Sequence, residues 1–331
     1  MLPFLFALLF SACDAAPELL RLHGNTMGTS WNVTIVAPPD SIGQDELQAG
    51  IAAALEDVNQ RMSNWKPDSE VSRFNRADVN TWIPVSSETR YVMERALDIS
   101  RRSGGAFDVT VGPLIELWGF GVTPMPQDRV PAAETIAAAM DTIGFEAIAL
   151  QTTPSAMLKS AQRAVNLSAI AKGYGVDRAA AWLDQQRVSN YLVEVGGELR
   201  TQGYNAKGQP WRVGIESPEL LRGTPAKAIE VSGLAVATSG DYRNYFESDG
   251  VRYSHTLNPE TGYPIDHRLA SVSVIADNCT DADGWATALD VLGPEQGMAL
   301  AESEGLAVYM IVRKGEGFES RHSSAFKPFI Q

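Results

Sequence analysis

Hydrophobic residues recur along the chain at two spacings, one typical of helices and one typical of strands. Apolar residues from Leu47 to Met62 follow the helical spacing and predict an amphipathic helix over residues 44–62. Apolar and polar residues alternate over 31–36, which predicts a strand. Further helices are predicted over residues 86–103, 131–140, 169–186, 281–292 and 295–304, and further strands over 191–195, 213–215, 229–231, 272–275 and 307–312. Because these elements are interspersed without a regular strand–helix alternation, the pattern predicts an α+β fold.

The first twelve residues are almost all apolar and carry no charged side chain. This run is too short to span a bilayer as a helix, but it suits the apolar core of a secretory signal. Leu9-Phe10-Ser11-Ala12 before Cys13 resembles a bacterial lipobox, in which the cysteine receives lipid, and Asp14 resembles a signal for retention at the inner membrane. A cleaved signal with an incidental cysteine is the alternative. The predicted organisation is a lipoprotein-type signal peptide at 1–12, a tether at 13–22 and one integrated domain at 23–331.

Charge and cysteine content narrow the function classes. The net charge of −13 argues against a nucleic-acid binder, because such proteins need a cationic surface. An acidic protein that binds a phosphate ligand needs a local cation, backbone amides or a metal ion. The two cysteines are Cys13 and Cys279, so a lipid on Cys13 leaves no intramolecular disulfide.

Several segments are rich in glycine, small polar residues and single charges, and these are the candidates for chemistry. Each taken alone is more typical of a turn or a helix cap than of a functional site. They lie at residues 24–30, 104–114, 166–177 and 238–262, with 281–287 at a predicted helix start.

Three observations favour chemistry on a phosphate ligand. Asp283 and Thr287 lie four residues apart on one predicted helix, so their oxygens share a face and suit a hard cation such as Mg²⁺. Lys172, next to glycine, offers a cation and exposed backbone amides to phosphate. His255 precedes an Asn-Pro turn that can hold it as a general base. No Gly-x-Gly-x-x-Gly follows a strand, so a dinucleotide is not expected to bind in the Rossmann manner.

The ordered series of these segments resembles the ApbE family, the FAD:protein FMN transferases. The segments that carry the resemblance are 27–29, 69–75, 106–108, 169–177, 194–198, 238–242, 253–262 and 283–289. The resemblance implies an α+β fold of T-fold-like mixed sheets with packed helices. The domain at 23–331 is then expected to be a single integrated flavin transferase catalytic unit.

The resemblance also implies roles for individual residues. His255 matches the histidine implicated in catalysis, and Cys13 is the expected lipidation site. The expected FAD contacts are Met27, Trp65, Ala106, Phe107, Asp108, Asn166, Lys172 and Leu257. The expected magnesium ligands are the backbone carbonyl of Ala169 with Asp283 and Thr287, and the backbone oxygen of Ala286 is a further candidate.

Three positions depart from the family's usual pattern. Asn166 and Asn258 stand where aspartate is commoner, and Trp65 stands where tyrosine is frequent. The tryptophan can still stack on a ring system. The two asparagines keep an acceptor oxygen but lose the charge, which leaves metal affinity and substrate preference open.

The activity implied by the resemblance is transfer of FMN from FAD to a threonine hydroxyl of a target protein, assisted by Mg²⁺ and releasing AMP. The implied targets are extracytoplasmic acceptor subunits of membrane redox complexes. The expected location is the bacterial inner membrane, where the lipid anchor holds the enzyme facing the periplasm. Two alternatives remain open: an FAD pyrophosphatase that yields FMN and AMP, and a lipoprotein that binds FAD without chemistry or is purely structural.

Overall fold

The computed structural model describes residues 17–122, 130–216, 225–240 and 245–330. The predicted signal peptide and Cys13 lie outside these residues, as do residues 241 and 242 of the predicted motif. Within them, no helix combines the length and the apolar composition that crossing a membrane requires.

The predicted helices are confirmed, and two short ones are added. The helices are α1 (Gln44–Met62), α2 (Glu70–Arg76), α3 (Ser87–Arg102), α4 (Gly112–Leu117), α5 (Ala133–Met140), α6 (Ala171–Gln185) and α7 (Cys279–Glu304). Helices α2 and α4 are too short to produce a periodic apolar pattern. Gly293 interrupts α7 with φ 74° and ψ −176°, directly before Pro294, so the helices predicted over 281–292 and 295–304 are the two parts of α7.

The strands form one large sheet and three small ones. The strands are β1 (Leu19–Thr26), β2 (Thr29–Val36), β3 (Ile83–Pro84), β4 (Ile148–Gln151), β5 (Ala156–Lys159), β6 (Tyr191–Val195), β7 (Glu198–Gln202), β8 (Trp211–Glu216), β9 (Pro225–Val231), β10 (Ala235–Gly240), β11 (Tyr245–Ser248), β12 (Val251–Ser254), β13 (Leu269–Ala276), β14 (Ala307–Lys314) and β15 (Gly317–His322). The large sheet has the order β1-β2-β6-β7-β10-β13-β14-β15, and the small ones are β3-β5-β4, β8-β9 and β11-β12. The α+β class is confirmed, with every pair of described strands antiparallel.

The middle of the large sheet is buried on both faces. On β13, Val272 and Val274 pack into the core that contains α7, whereas Ile275 packs into a second core with the β8–β9 hairpin. Burial on both faces explains why β13 is an almost unbroken run of small and apolar residues. At the other end of the sheet, Trp31 and Val33 of β2 alternate inward against α1 and α6.

Helices α6 and α7 approach each other closely at Gly173. A Cβ atom on Gly173 would lie 2.2 Å from the carbonyl oxygen of Cys279 and 2.7 Å from the Cβ of Asp283. The carboxylate of Asp177 on α6 accepts hydrogen bonds from the Cys279 and Thr280 amides, at 2.9 and 2.8 Å. The carboxylate of Asp283 on α7 accepts one from the Gly173 amide at 2.9 Å. Each helix therefore caps the first turn of the other.

A small satellite core supports the segment that follows β12. Leu114 and Trp118 of the α4 region pack with Ile136 of α5, Phe246 of β11 and Leu257. The indole nitrogen of Trp118 donates a hydrogen bond to the Gly262 carbonyl at 2.9 Å. These contacts hold the β11–β12 hairpin and residues 254–265 against α4 and α5.

Replacing Gly173 by alanine is expected to destabilise the fold, because the added methyl group must displace backbone atoms of α7. The expected loss is about 3 kcal/mol of unfolding free energy, at the upper end of the usual cost of overpacking. Denaturant unfolding of the purified chain measures it. Gly112→Ala is the matched control, since its added Cβ would meet only ordinary contacts at 3.5 and 3.7 Å. Equal stabilities of the two variants would contradict the close approach of α6 and α7.

Candidate active site

Residues from separate predicted segments meet in one cleft of about 620 Å³. Among the residues predicted from the sequence, those that line the cleft are Ala106, Phe107, Asp108, Asn166, Ala169, Lys172, His255, Leu257, Asp283 and Thr287. The fold therefore gathers into one space side chains that are up to 181 residues apart in the chain (287 minus 106).

Lys172, in the first turn of α6, forms an ion pair with Glu198. Its Nζ atom lies 2.5 Å from Glu198 Oε1. Glu198 begins β7, directly after a turn at Gly196 and Gly197 whose φ angles are 64° and 112°. Burial alone would lower the pKa of Lys172, but the negative charges of Asp283 and Glu198 raise it above its usual value. Burial raises the pKa of Glu198 to about 7, although the charge of Lys172 opposes this shift.

Asp283 and Thr287 lie one turn apart on the face of α7 that borders the cleft. Asp283 is only 3% exposed. Its burial raises the pKa of the carboxyl group, while the charge of Lys172 and the Gly173 amide act in the opposite direction. The Thr287 hydroxyl lies 3.4 Å from the Ser239 hydroxyl of β10. The side chain of Ala286 is buried in the main core and does not line the cleft, so only its backbone oxygen is a candidate ligand.

Asp108 and Asn166 organise the cleft wall through local hydrogen bonds. Asp108 accepts from the amide and the hydroxyl of Thr110, at 2.7 and 2.6 Å, and from the Phe145 amide at 3.1 Å. Asn166 accepts from the amide and the hydroxyl of Ser168, at 2.9 and 2.7 Å. These bonds occupy acceptor positions on both side chains, so both residues shape the wall as well as face the cleft.

His255 follows β12 and is partly buried. Its ring lies edge-on to Phe120, with ring centroids 6.4 Å apart and an interplanar angle of 72°. The next residue, Thr256, donates a hydrogen bond from its hydroxyl to Asp290 of α7 at 3.1 Å. Further along, Asn258 Oδ1 accepts from the Glu260 amide at 2.8 Å. The predicted rigid turn after His255 is thus present, and it is also tied to α7.

Met27 and Trp65 do not line the cleft. Met27 lies in the turn between β1 and β2 with φ 47°, and its side chain packs close to Gly175 of α6. Trp65 is 67% exposed in the loop after α1. Asn64, the residue before it, donates a hydrogen bond to the Val165 carbonyl at 2.8 Å, which places this loop beside the cleft wall next to Asn166.

Sequence reasoning missed several residues of the cleft. Glu198 lies in a recognised motif, but nothing in the sequence assigns it to Lys172. The Gly196-Gly197 pair could have indicated its position, because a glycine turn places the start of β7 beside the end of β6. Phe120 also lines the cleft and carries no local sequence signal, whereas Ser239 lies in the candidate segment 238–262 but was given no role.

Comparison with known proteins places this geometry in a family. The model of the ApbE family matches residues 27–310. A Vibrio cholerae serotype O1 protein named FAD:protein FMN transferase is 44% identical over 324 residues, which cover 98% of this chain and 96% of the relative. A protein of the same name from Haemophilus influenzae is 42% identical over 331 residues, covering 98% of this chain and 95% of the relative.

A solved structure gives the same result for the fold. The structure of the flavin transferase ApbE from Vibrio cholerae superimposes with a TM-score of 0.88 at 43% identity. The superposition covers 95% of this chain and all of that chain. The chain belongs to the ApbE family.

Proposed function

We propose that the protein transfers FMN from FAD to a threonine hydroxyl of a target protein and releases AMP. Family membership and near-full-length relatives named FAD:protein FMN transferase make the chain a transferase enzyme. The observation that carries the finer proposal is the cleft, which brings a lysine, a carboxylate–hydroxyl pair and a histidine together. These groups suit phosphoryl transfer, in which catalysis consists mainly of positioning and charge stabilisation.

In the proposed reaction, His255 accepts the proton of the threonine hydroxyl. The threonine oxygen forms a bond to the phosphorus on the riboflavin side of the pyrophosphate. The bond from that phosphorus to the bridging oxygen breaks, and AMP leaves with the oxygen. Lys172, at the start of α6, offers its charge to the pyrophosphate. The proposed FAD contacts are Ala106, Phe107, Asp108, Asn166, Lys172 and Leu257, which line the cleft, together with Met27 and Trp65, which lie outside its lining.

The oxygen donors on α7 and before α6 fit a magnesium ion. Asp283 supplies a carboxylate, Thr287 a hydroxyl and Ala169 a backbone carbonyl, and all three residues line the cleft. Within the described residues, no group of three or more histidine, cysteine, aspartate or glutamate side chains could hold a metal. One carboxylate with neutral oxygens and ligand phosphates suits Mg²⁺, which rarely occupies an all-protein cage. When bound, such an ion neutralises the charge that develops on the pyrophosphate.

We also propose that Cys13 carries lipid and anchors the enzyme at the inner membrane, facing the periplasm. The support is the sequence of residues 9–14, in which small residues precede the cysteine and Asp14 follows it. An anchor of this kind places the cleft beside extracytoplasmic subunits of membrane redox complexes, which we propose as the flavin acceptors.

Replacing His255 by alanine is expected to abolish transfer while FAD binding persists. The full chain, purified in mild detergent, is incubated with FAD, magnesium chloride and an acceptor domain that contains the target threonine. Intact mass of the acceptor is expected to rise by one FMN less one water. The variant is expected to be slower by about 100-fold or more, because it lacks the general base.

His23→Ala is the matched control, since His23 is exposed on β1 and far from the cleft in the chain. If FAD is converted to FMN and AMP while the acceptor stays unmodified, the protein is an FAD pyrophosphatase and the transferase assignment is wrong. FAD bound but never consumed would leave a flavin-binding protein without chemistry. Full transfer by the His255 variant would remove the histidine from the mechanism.

Replacing Asp283 by asparagine is expected to weaken magnesium binding, because the amide keeps the hydrogen bond from Gly173 but loses the charge. Transfer at a limiting magnesium concentration is expected to fall about 100-fold, and excess magnesium to restore part of it. Asp281→Asn is the control on the same helix, where the carboxylate pairs with Arg95 at 2.8 Å and does not line the cleft. Equal magnesium dependence of both variants would contradict the assignment.

Replacing Cys13 by serine is expected to move the protein from the membrane fraction to the soluble fraction, because serine cannot receive the lipid. Fractionation of bacteria that express the full chain, with radiolabelled palmitate incorporation, measures this. A wild-type chain that is soluble and unlabelled would show a cleaved signal with an incidental cysteine.

A further inference from the structure

The described part of the cleft wall has more acidic than basic side chains. Among the described residues that line it, Lys172 is the only lysine or arginine, whereas Asp108, Glu198 and Asp283 each contribute a carboxyl group. FAD brings a negatively charged pyrophosphate to this wall. Like charges in a partly buried site repel strongly, because water screens them less than at the surface. Without a bound cation, this wall is therefore a poor receptor for the ligand that the proposed function assigns to it.

Glu198 neutralises the cation that the pyrophosphate needs. The Lys172 ammonium lies 2.5 Å from Glu198 Oε1. The Glu198 side chain is only 4% exposed, whereas that of Lys172 is 30% exposed. A ligand can therefore reach the ammonium more readily than the buried carboxylate that competes for it. The second carboxylate oxygen, Oε2, is buried and has no hydrogen-bond partner in the described part of the chain.

Asp283 adds a second negative charge that acts on the same lysine. Its side chain is 3% exposed, and its Oδ2 atom accepts the Gly173 amide, so it too is fixed in position. A divalent cation beside Asp283 would reverse the balance at the wall. It would add two positive charges next to the lysine and compensate both carboxylates.

We propose that Glu198 makes FAD binding depend on the divalent cation, by masking the charge of Lys172 until the cation is present. The proposal rests on the proposed function, since it takes FAD and Mg²⁺ as the ligands of the cleft. Glu198 acts through Lys172 and is therefore a positioning residue. The masking makes the cleft selective. Metal-free nucleotides and free phosphate gain little binding energy from Lys172, whereas a nucleotide that binds together with the cation interacts with the full charge of the ammonium.

Glu198→Gln tests the masking with little change of shape. The amide oxygen can still accept a hydrogen bond from Lys172, but the negative charge is gone. FAD is then expected to bind more tightly without metal, because the ammonium is no longer neutralised. Mg²⁺ alone is expected to bind more weakly, because one nearby negative charge is lost. Damage to the fold would weaken the binding of both FAD and Mg²⁺. Stronger FAD binding together with weaker Mg²⁺ binding therefore identifies an effect of charge.

The experiment uses the full chain in mild detergent at about pH 8, which lies above the pKa of about 7 to which burial raises Glu198. Quenching of flavin fluorescence gives the FAD dissociation constant in EDTA and in saturating magnesium chloride, and calorimetry gives the Mg²⁺ affinity without FAD. For Glu198→Gln, we expect metal-free FAD affinity to rise about tenfold and Mg²⁺ affinity to fall by a similar factor. In this variant, Mg²⁺ is expected to increase FAD affinity less than in the wild type. By linkage, FAD is expected to increase Mg²⁺ affinity less by the same factor.

Glu94→Gln is the matched control, because it makes the same change of net charge on an exposed side chain of α3 that pairs only with Arg90 among the described residues. A metal-free FAD affinity of Glu198→Gln equal to or below that of the wild type would overturn the inference. Wild-type protein that binds no FAD even with Mg²⁺ would overturn the proposed function and this inference with it.

Lys172→Met gives a second test that does not require the Glu198 variant to fold. Without the ammonium, the buried Glu198 carboxyl loses the charge that favours its ionised form and takes up a proton, so the net charge of the pair changes little. FAD affinity is therefore expected to change little in EDTA but to fall by tenfold or more with Mg²⁺. An equal loss of affinity under both conditions would show that Lys172 is always available, and would overturn the masking.

Discussion

Helices α6 and α7 contact each other at their first turns, where backbone amides have no partner within the helix. A carboxylate of each helix accepts hydrogen bonds from these amides of the other. Asp177 accepts from the Cys279 and Thr280 amides, and Asp283 accepts from the Gly173 amide. Asn278 accepts from the Asp281 amide and completes the first turn of α7. This exchange fixes the two helices in one register, because neither can slide without exposing buried polar groups.

The same exchange builds the cleft. Asp283 is held by Gly173, and Lys172 is the residue before Gly173, so the carboxylate and the ammonium are placed together by a single contact. The start of α6 adds the positive end of a helix dipole to the lysine, which favours an anionic ligand. The acidic neighbours reduce that advantage. The site therefore combines a helix end whose dipole favours an anion with carboxylates whose charge opposes one.

The sequence predicted those parts of the structure that depend on local pattern. The spacing from Leu47 to Met62 gave the bounds of α1, and Gly293-Pro294 explains the break in α7. Strand β10 was missed, because Ala235–Gly240 has small residues and takes its stability from β7 and β13. The motifs identified ten cleft residues, but the Lys172–Glu198 pair depends on how β7 lies beside α6. Trp65 lies exposed in the loop beside the wall, a position that depends on the hydrogen bond from Asn64 to the Val165 carbonyl and that local sequence does not indicate.

The break in α7 also helps to hold the segment that follows His255. Pro294 has no amide hydrogen, so the carbonyl of Asp290, four residues earlier, loses its helical partner. His267 Nε2 lies 2.6 Å from that carbonyl, and its Nδ1 accepts from the Leu269 amide, so Nε2 is the protonated nitrogen and donates. The Asp290 side chain accepts from Thr256. One residue of α7 thus anchors both ends of the segment that follows His255, and it lies two turns beyond Asp283 on the helix that also carries Thr287. A single helix thereby sets the spacing between the Asp283 and Thr287 oxygens and the segment that begins at His255.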